Sequence, residues 1–514
     1  MRTYTARALR RPPSLRTAAK QPPAPPAAAQ RALPLALLAP LLLLTLLGGA
    51  TILSISRTLP SLLLSANATA HDAAALSAPP VALEPSGSWL ALLTAAPLPL
   101  PPPPLPPSPS PPPSPSPVPL PRCCCVGLGP TARCWPPPAA AGGRPYRILF
   151  HSNQFGPRGT EVSMFDYAAS FEEFLCGESH VMTFGLESLV NRMPFPDSMA
   201  TLPRFEARFP GRVHLLMRNG REEVDEVLAN ISADAFYATQ YGTVAGTVVW
   251  PTPSQGGRVR TLLHAVFDGL EPHYDAFATI GDTIPRAPGV PVVHYISYVN
   301  PDTLRLPGLR SDWGVPPDAR VFCRHGGPDT FDIGFVRQAL CDHAAAHPSD
   351  YFVLLGTAPT ACDGQHSNII HLPRSVDAAY KQRYLNSCSA CLHARSDGET
   401  FGLGVAECSM SGLPVMTFCA PPAAAAFHLQ TLGKEALLYC SAAELGVLLQ
   451  GFDAAAHAAR RDVYAALYAP FGPSAIMHEF MENFGLYPAF FAAANPKNMS
   501  WQGRCEPIIS VGDE

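Results

Sequence analysis

Outside its first 31 residues this 514-residue sequence has no basic stripe, which argues against a nucleic-acid partner. Those first 31 residues lack Asp and Glu altogether, while holding Arg2, Arg7, Arg10, Arg11, Arg16, Lys20 and Arg31. From Ala32 to Ser56 there is no charge of either sign. The whole chain lacks a strong charge bias, with a formal net charge of -4. No second C-x-x-C follows the pair Cys388 and Cys391, so a zinc or redox reading of that pair has little support. Cys391 reads instead as a small apolar residue of a strand leading to His393.

The uncharged block is leucine-rich and long enough for a membrane helix, which needs about 20 apolar residues. A positive flank stays cytosolic, so the expectation is a single-pass type II signal anchor with the C-terminal bulk in the lumen of the Golgi or endoplasmic reticulum. A cleaved signal peptide would have a shorter apolar region. An organelle transit peptide would suit the Arg- and Ala-rich arm but not so continuous an apolar block. More than half of the 60 prolines crowd into the first third of the chain, and Pro97 to Pro121 is mostly proline with Ser and Leu. Such a stretch is extended and stiff and would hold a catalytic domain away from a membrane. Its Ser-Pro alternation resembles, in composition only, the hydroxyproline-rich cell-wall glycoproteins of plants and green algae. Cys123, Cys124, Cys125 and Cys134 lie in this stem, where an oxidising lumen would pair them within or between chains. Asn67, Asn230 and Asn498 each open an N-x-S/T sequon, in keeping with a lumenal location.

From Pro145 the composition is globular. Tyr146–Phe150, Val213–Met217, Val290–Ile296, Tyr351–Leu355 and Pro414–Phe418 read as strands, alternating with helical stretches. Alternation over some 300 residues predicts two α/β domains, each a doubly wound parallel sheet. The expected division is a basic cytosolic arm 1–31, an anchor 32–56, a disordered stem 57–143, a first Rossmann-like domain 144–298, a second 299–475, and a C-terminal helix and tail 476–514.

The most informative segment is Leu392–Phe418. It reads as a strand, a Gly-containing turn, a helix, a stop at Gly412 and another strand. Glu399 falls at the turn and Glu407 eight positions later. The helix start at Thr400, Phe401, Gly402 and Leu403 offers unpaired N–H groups and a positive dipole end, a good phosphate site. Gly398 and Gly402 let a ligand approach the backbone. Eight residues at helical rise span about 12 Å, on the order of the reach from a sugar across a diphosphate to a ribose.

This segment resembles the E-x7-E motif of retaining GT-B glycosyltransferases, the glycosyltransferase family 4-like class, here in a plant- or algal-type type II membrane form. It matches at Glu399, Phe401, Gly402, Glu407, Gly412, Pro414 and Val415, and departs at Thr400, Cys408 and Met410. The resemblance implies two facing Rossmann-like domains with a cleft between them. It also implies that Glu399 contacts the donor sugar and Glu407 the nucleotide ribose. Gly156-Pro157-Arg158-Gly159-Thr160-Glu161 is similar to the glycine-rich loop that opens the first helix in such enzymes, with Gly159 near the donor phosphates or the acceptor. His264, within the run Arg260–Asp268 and at the end of its strand-like part, matches a strand-end histidine near the transferred sugar, with His273 as a competitor. The alternative reading of His264 is a hydrogen-bonded structural histidine. Val321-Phe-Cys-Arg-His-Gly-Gly327 resembles the strand and loop that open the second domain, so Arg324 would reach the diphosphate. A lysine usual six positions later is Thr330 here, and Arg395 could substitute. Asp-x-Asp, on which metal-dependent glycosyltransferases of the other major fold rely, is missing, so no metal or other cofactor is expected. The resemblance thus implies transfer of a sugar from a nucleotide-sugar donor to a glycan or glycoprotein acceptor with retention. The competing readings are a non-catalytic glycan-binding or cell-wall protein with a degenerate site, and an epimerase or inverting enzyme on the same fold.

Overall fold

The computed structural model describes residues 124–127, 133–135, 143–183, 197–217, 221–245 and 259–493. The basic arm, the expected anchor at 32–56 and most of the expected stem lie outside them. Among the described helices none is long and apolar enough to cross a membrane.

Two short strands, β1 (Cys124–Val126) and β2 (Arg133–Trp135), pair antiparallel. They fall inside the stretch expected to be disordered. Cys124 explains the difference: it is bonded to Cys176, and Gly127 exchanges hydrogen bonds with Ser474. Cys124 therefore pairs with the folded domain rather than within the stem.

The first sheet holds β3 (Arg147–Ser152), β4 (Glu178–Thr183), β5 (Val213–Leu215), β6 (Ala235–Gln240), β7 (Arg260–Ala265) and β8 (Ala276–Thr279). All five pairings are parallel, in the order β5-β4-β3-β6-β7-β8. The central strands are buried along nearly their whole length, as a parallel sheet covered on both faces requires. Helices α1 (Gly159–Leu175), α2 (Leu202–Arg208) and α3 (Arg221–Asn230) connect them. Val290–Ile296, expected as a strand, is an extended segment that makes a single bridge, Thr279 to Val292. Pro291 interrupts it, and proline has no N–H for a ladder.

The second sheet repeats the topology. It holds β9 (Arg320–His325), β10 (Asp350–Leu355), β11 (Ile369–Leu372), β12 (Ala390–His393), β13 (Val415–Phe418) and β14 (Leu437–Tyr439), in the order β11-β10-β9-β12-β13-β14, all parallel. Helices α4 (Gly334–Ala346), α5 (Ala378–Asn386), α6 (Leu403–Met410) and α7 (Phe427–Leu432) join its strands, and α8 (Ala442–Gln450) follows the last. The protein therefore contains two parallel-sheet Rossmann-like domains. In each, the order reverses beside the first strand, between β3 and β6 and between β9 and β12, and ligands of such sheets bind beyond the strand ends at that point.

After α9 (Arg461–Tyr468) the chain returns to the first domain through α10 (Pro473–Asn483). Phe480 of α10 packs 5.5 Å from the Tyr167 ring and 5.6 Å from the Tyr237 ring. Arg260 donates to the Gly485 carbonyl at 2.6 Å, tying the same crossing to β7.

Candidate functional site

A cavity of about 510 Å³ is lined by residues of both sheets. Asn153 and Gly159 reach it from the first domain; Arg324, His325 and His393 reach it from the two strands that flank the second domain's switch point. Glu399, Thr400, Phe401, Gly402, Leu403 and Glu407 all line it. Gly159 and Arg324 line it too, whereas His264 is missing from its wall.

The turn that carries Glu399 is fixed by its neighbours. Gly398 has φ of 66°, and a Cβ there would lie 2.3 Å from the Ala425 carbonyl oxygen, so no other residue fits. Glu399 donates its N–H to Ala425 at 2.6 Å and accepts from the Phe427 N–H at 3.2 Å. Phe401 is buried and stacks on Phe427 at 5.1 Å. Gly402, φ 88°, then caps the start of α6, whose first-turn residues Leu403, Gly404 and Val405 line the cavity. Gly159 starts α1 on the opposite wall, and a Cβ built on it lies 3.7 Å from Leu403 Cδ1. The starts of two helices thus both line the cavity.

Both carboxylates of the E-x7-E are held as anions. His393 Nε2 lies 3.2 Å from Glu399 Oε1, and Arg395 donates to Oε2 at 3.0 Å. Burial alone would raise the Glu399 pKa, but His393 and Arg395 overcome it and the net shift is downward. Glu407 is bracketed by Lys381 on Oε1 and by His325 Nε2, 2.8 Å from Oε2. Burial again opposes ionisation, and Lys381 together with the hydrogen bond to His325 more than offsets it, bringing Glu407 down to about 2. Arg395, which sequence offered as a spare phosphate ligand, is engaged with Glu399 instead.

Arg324 is almost fully buried. It donates to Thr357 Oγ1 at 2.7 Å, to the Gly327 carbonyl at 2.6 Å and to Thr330 Oγ1 at 2.7 Å. Every acceptor is neutral, so its charge is not cancelled by a bonded carboxylate. Burial pulls its pKa down to about 10, which leaves it charged at neutral pH. Thr330, at the position where lysine is usual, holds the Arg324 side chain in place.

His264 requires a correction. It is completely buried, with Nε2 2.6 Å from the Val293 carbonyl and Nδ1 2.7 Å from the Tyr237 hydroxyl. The carbonyl can only accept, so Nε2 carries the proton and Nδ1 accepts from Tyr237. Burial holds the ring neutral, with a pKa lowered to about 3. β7 runs one residue further than expected, so His264 lies inside the strand. Its ring packs against Tyr167 of α1 and against Phe484 just beyond α10, away from Glu399. Val266 and Phe267 are the residues that leave β7 into the cavity. His273, the competitor, does not line the cavity either; its Nδ1 lies 2.5 Å from the Glu271 carbonyl.

The departure from the motif at Cys408 also resolves. Cys408 is bonded to Cys391, and Cys388 to Cys323, so Cys391 is a bridge between β12 and α6 rather than a plain apolar residue. Cys341–Cys362 and Cys419–Cys440 add two more disulfides to the second domain. His325, Lys381, Arg374 and His393 are site residues that sequence reasoning did not select. A cation near the start of an ordinary helix, such as Lys381, carries no local signal. Among the described residues, His343, His347 and Asp350 form a cluster with metal-ligating atoms, but it sits at the N-terminal edge of the second sheet, away from the cavity. Arg320 and His343 already occupy the oxygens of Asp350.

No family model matches this sequence, and no curated protein matches it. Among solved structures, Anabaena HepE in complex with UDP and glucose is 15% identical, covers 66% of this chain and 99% of its own, and superposes with a TM-score of 0.47. Sucrose-phosphate synthase from Thermosynechococcus elongatus is 15% identical, with coverage of 68% and 100% and a TM-score of 0.47. A glycosyltransferase from Rickettsia africae is 9% identical, with coverage of 68% and 99% and a TM-score of 0.47. At these identities and scores the likeness decides nothing about the chemistry, which rests on this chain's own residues.

Proposed function

We propose that this protein is a retaining GT-B glycosyltransferase that takes a sugar from a nucleotide-sugar donor and transfers it to a glycan or glycoprotein. The observation that carries the reading is the cavity's charge. Six basic side chains, Arg158, Arg204, Arg324, Arg374, Lys381 and Arg395, line it against three carboxylates, Asp329, Glu399 and Glu407. Such a cavity with a helix N-terminus at each wall suits a diphosphate. Glu399 and Glu407, near opposite ends of α6, would accept from the hydroxyls of the sugar and of the ribose. As the glycosidic bond to phosphate breaks, negative charge grows on the leaving diphosphate. The start of α6 and the uncancelled charge of the Arg324 guanidinium lie on the cavity wall and would stabilise that charge without reorganisation, which is where electrostatic catalysis is strongest. With no nucleophile assigned beside the sugar, the acceptor hydroxyl attacks from the leaving-group face and the departing phosphate takes its proton. His264 is given no part in this scheme.

The proposed site of action is the lumen of the secretory pathway, with the chain anchored by 32–56. Five disulfides among the described residues and the exposed Asn230 sequon support that reading. A thermal-shift screen of the full chain against UDP-, GDP- and ADP-sugars tests the donor reading. A shift with one of them is expected; no shift with any would leave a glycan-binding role as the better account.

A further inference from the structure

Arg374 follows β11, on the second domain's side of the cavity, and was not anticipated from sequence. It lines the cavity together with Arg324. Its stem passes against Gly356, whose φ is 63°; a Cβ at that position would lie 3.2 Å from Arg374 Cβ and Cγ. The glycine at the end of β10 therefore leaves the arginine its path into the cleft. The guanidinium donates through Nη2 to the Pro157 carbonyl at 2.7 Å, on the glycine loop of the first domain. Its Nη1 lies 3.5 Å from Asp197, a carboxylate that is itself about half exposed.

The other basic groups on that wall are committed differently. Lys381 is paired with Glu407 and Arg395 with Glu399. Arg324 bonds only neutral oxygens and keeps its charge, but its donors are directed into its own loop. Arg374 spends one N–H on a neutral carbonyl and faces one loosely placed carboxylate, while a guanidinium carries five N–H groups in a planar fork. Burial pulls its pKa below the usual arginine value, and the nearby Arg158 adds to that. Those are the conditions an entering anion relieves.

We propose that Arg374 is a donor-binding residue that grips the diphosphate of the nucleotide sugar with its free N–H groups while its Nη2 keeps the Pro157 loop against the same ligand. This rests on the nucleotide-sugar reading above and names the side chain that joins the two domains on the phosphates. It makes donor binding and the approach of the glycine loop a single event.

The test is calorimetric titration of the full chain with UDP, GDP and ADP, then with the nucleoside of whichever binds tightest. If the wild-type chain binds none of the three, the nucleotide-sugar reading itself fails. Where one binds, Arg374→Gln, which can still donate to Pro157 but has no charge, is expected to weaken the diphosphate by roughly tenfold or more. It should leave the nucleoside unchanged, which also reports that the pocket is folded. Arg374→Lys should recover part of the loss. Wild-type diphosphate affinity in the Gln variant, an equal loss for the nucleoside, or equal losses in the Gln and Lys variants would overturn the assignment and leave Arg374 as a structural contact between loops.

Discussion

His325 at the C-terminal end of β9 places Nε2 2.8 Å from Oε2 of Glu407 on α6, while Lys381 of α5 holds the other oxygen. The carboxylate is thereby oriented and kept ionised from two sides before any ligand contributes. It retains lone pairs for a ribose, since a carboxylate offers about four acceptor positions. Glu407→Ala is expected to weaken nucleotide binding by roughly ten- to a hundredfold, the range for a hydrogen bond to a charged group. It also leaves Lys381 without its partner. Titration with the nucleotide that binds wild type checks this; unchanged affinity would detach Glu407 from the ribose.

The Cys391–Cys408 bridge fixes α6 to β12 one residue beyond Glu407, with a sequence separation of 17. A loop of that size contributes about 3 kcal/mol through the unfolded chain. The double variant Cys391→Ala, Cys408→Ala should therefore lower Tm by roughly 6–12 °C. Because the bridge holds the helix that carries Glu407, donor affinity should fall as well. A variant with the wild-type Tm and wild-type donor affinity would mean that packing alone fixes α6.

His294 sits between two acids, Nε2 3.1 Å from Asp282 and Nδ1 3.1 Å from Glu479 of α10. Burial would lower its pKa, but the two carboxylates raise it above the ordinary 6.5. A raised folded value means the charged histidine stabilises the fold fully below about pH 6.5, and that this part is lost as pH climbs through the folded value. Its other neighbours are the rings of Phe427 and Phe471, which do not titrate. Tm of the wild type should thus decline from pH 6 to 8.5 more steeply than that of His294→Gln. Parallel curves would remove His294 from the pH response.

Activity should survive EDTA. The cavity's basic lining and the α6 N-terminus are proposed to neutralise the diphosphate, so chelation removes nothing they need. Product formation measured with EDTA and with added manganese or magnesium decides this; strict dependence on either ion would require a differently built phosphate site.

Much of this was legible in the sequence for a physical reason. Parallel strands buried on both faces leave continuous apolar runs, so β3, β10 and β13 were visible within two residues of their ends. Gly398 and Gly402 were legible because only glycine meets the conformations found there. What stayed hidden was whatever depends on partners distant in the chain. The bond of Cys408 to Cys391 and the clamp of Lys381 on Glu407 carry no local pattern. His264 shows the limit from the other side: one further residue of strand turned a histidine expected at a sheet edge into a buried, doubly bonded one.

The most direct measurement is release of nucleoside diphosphate from UDP-, GDP- and ADP-sugars by the wild-type chain and by Glu399→Ala, with donor affinity recorded alongside. The account predicts release from one donor by the wild type. In the variant, turnover should fall by about a hundredfold or more, as for an interaction strengthened in the transition state, with affinity changed far less. Wild-type turnover in Glu399→Ala, or no release from any donor by the wild type, would contradict it.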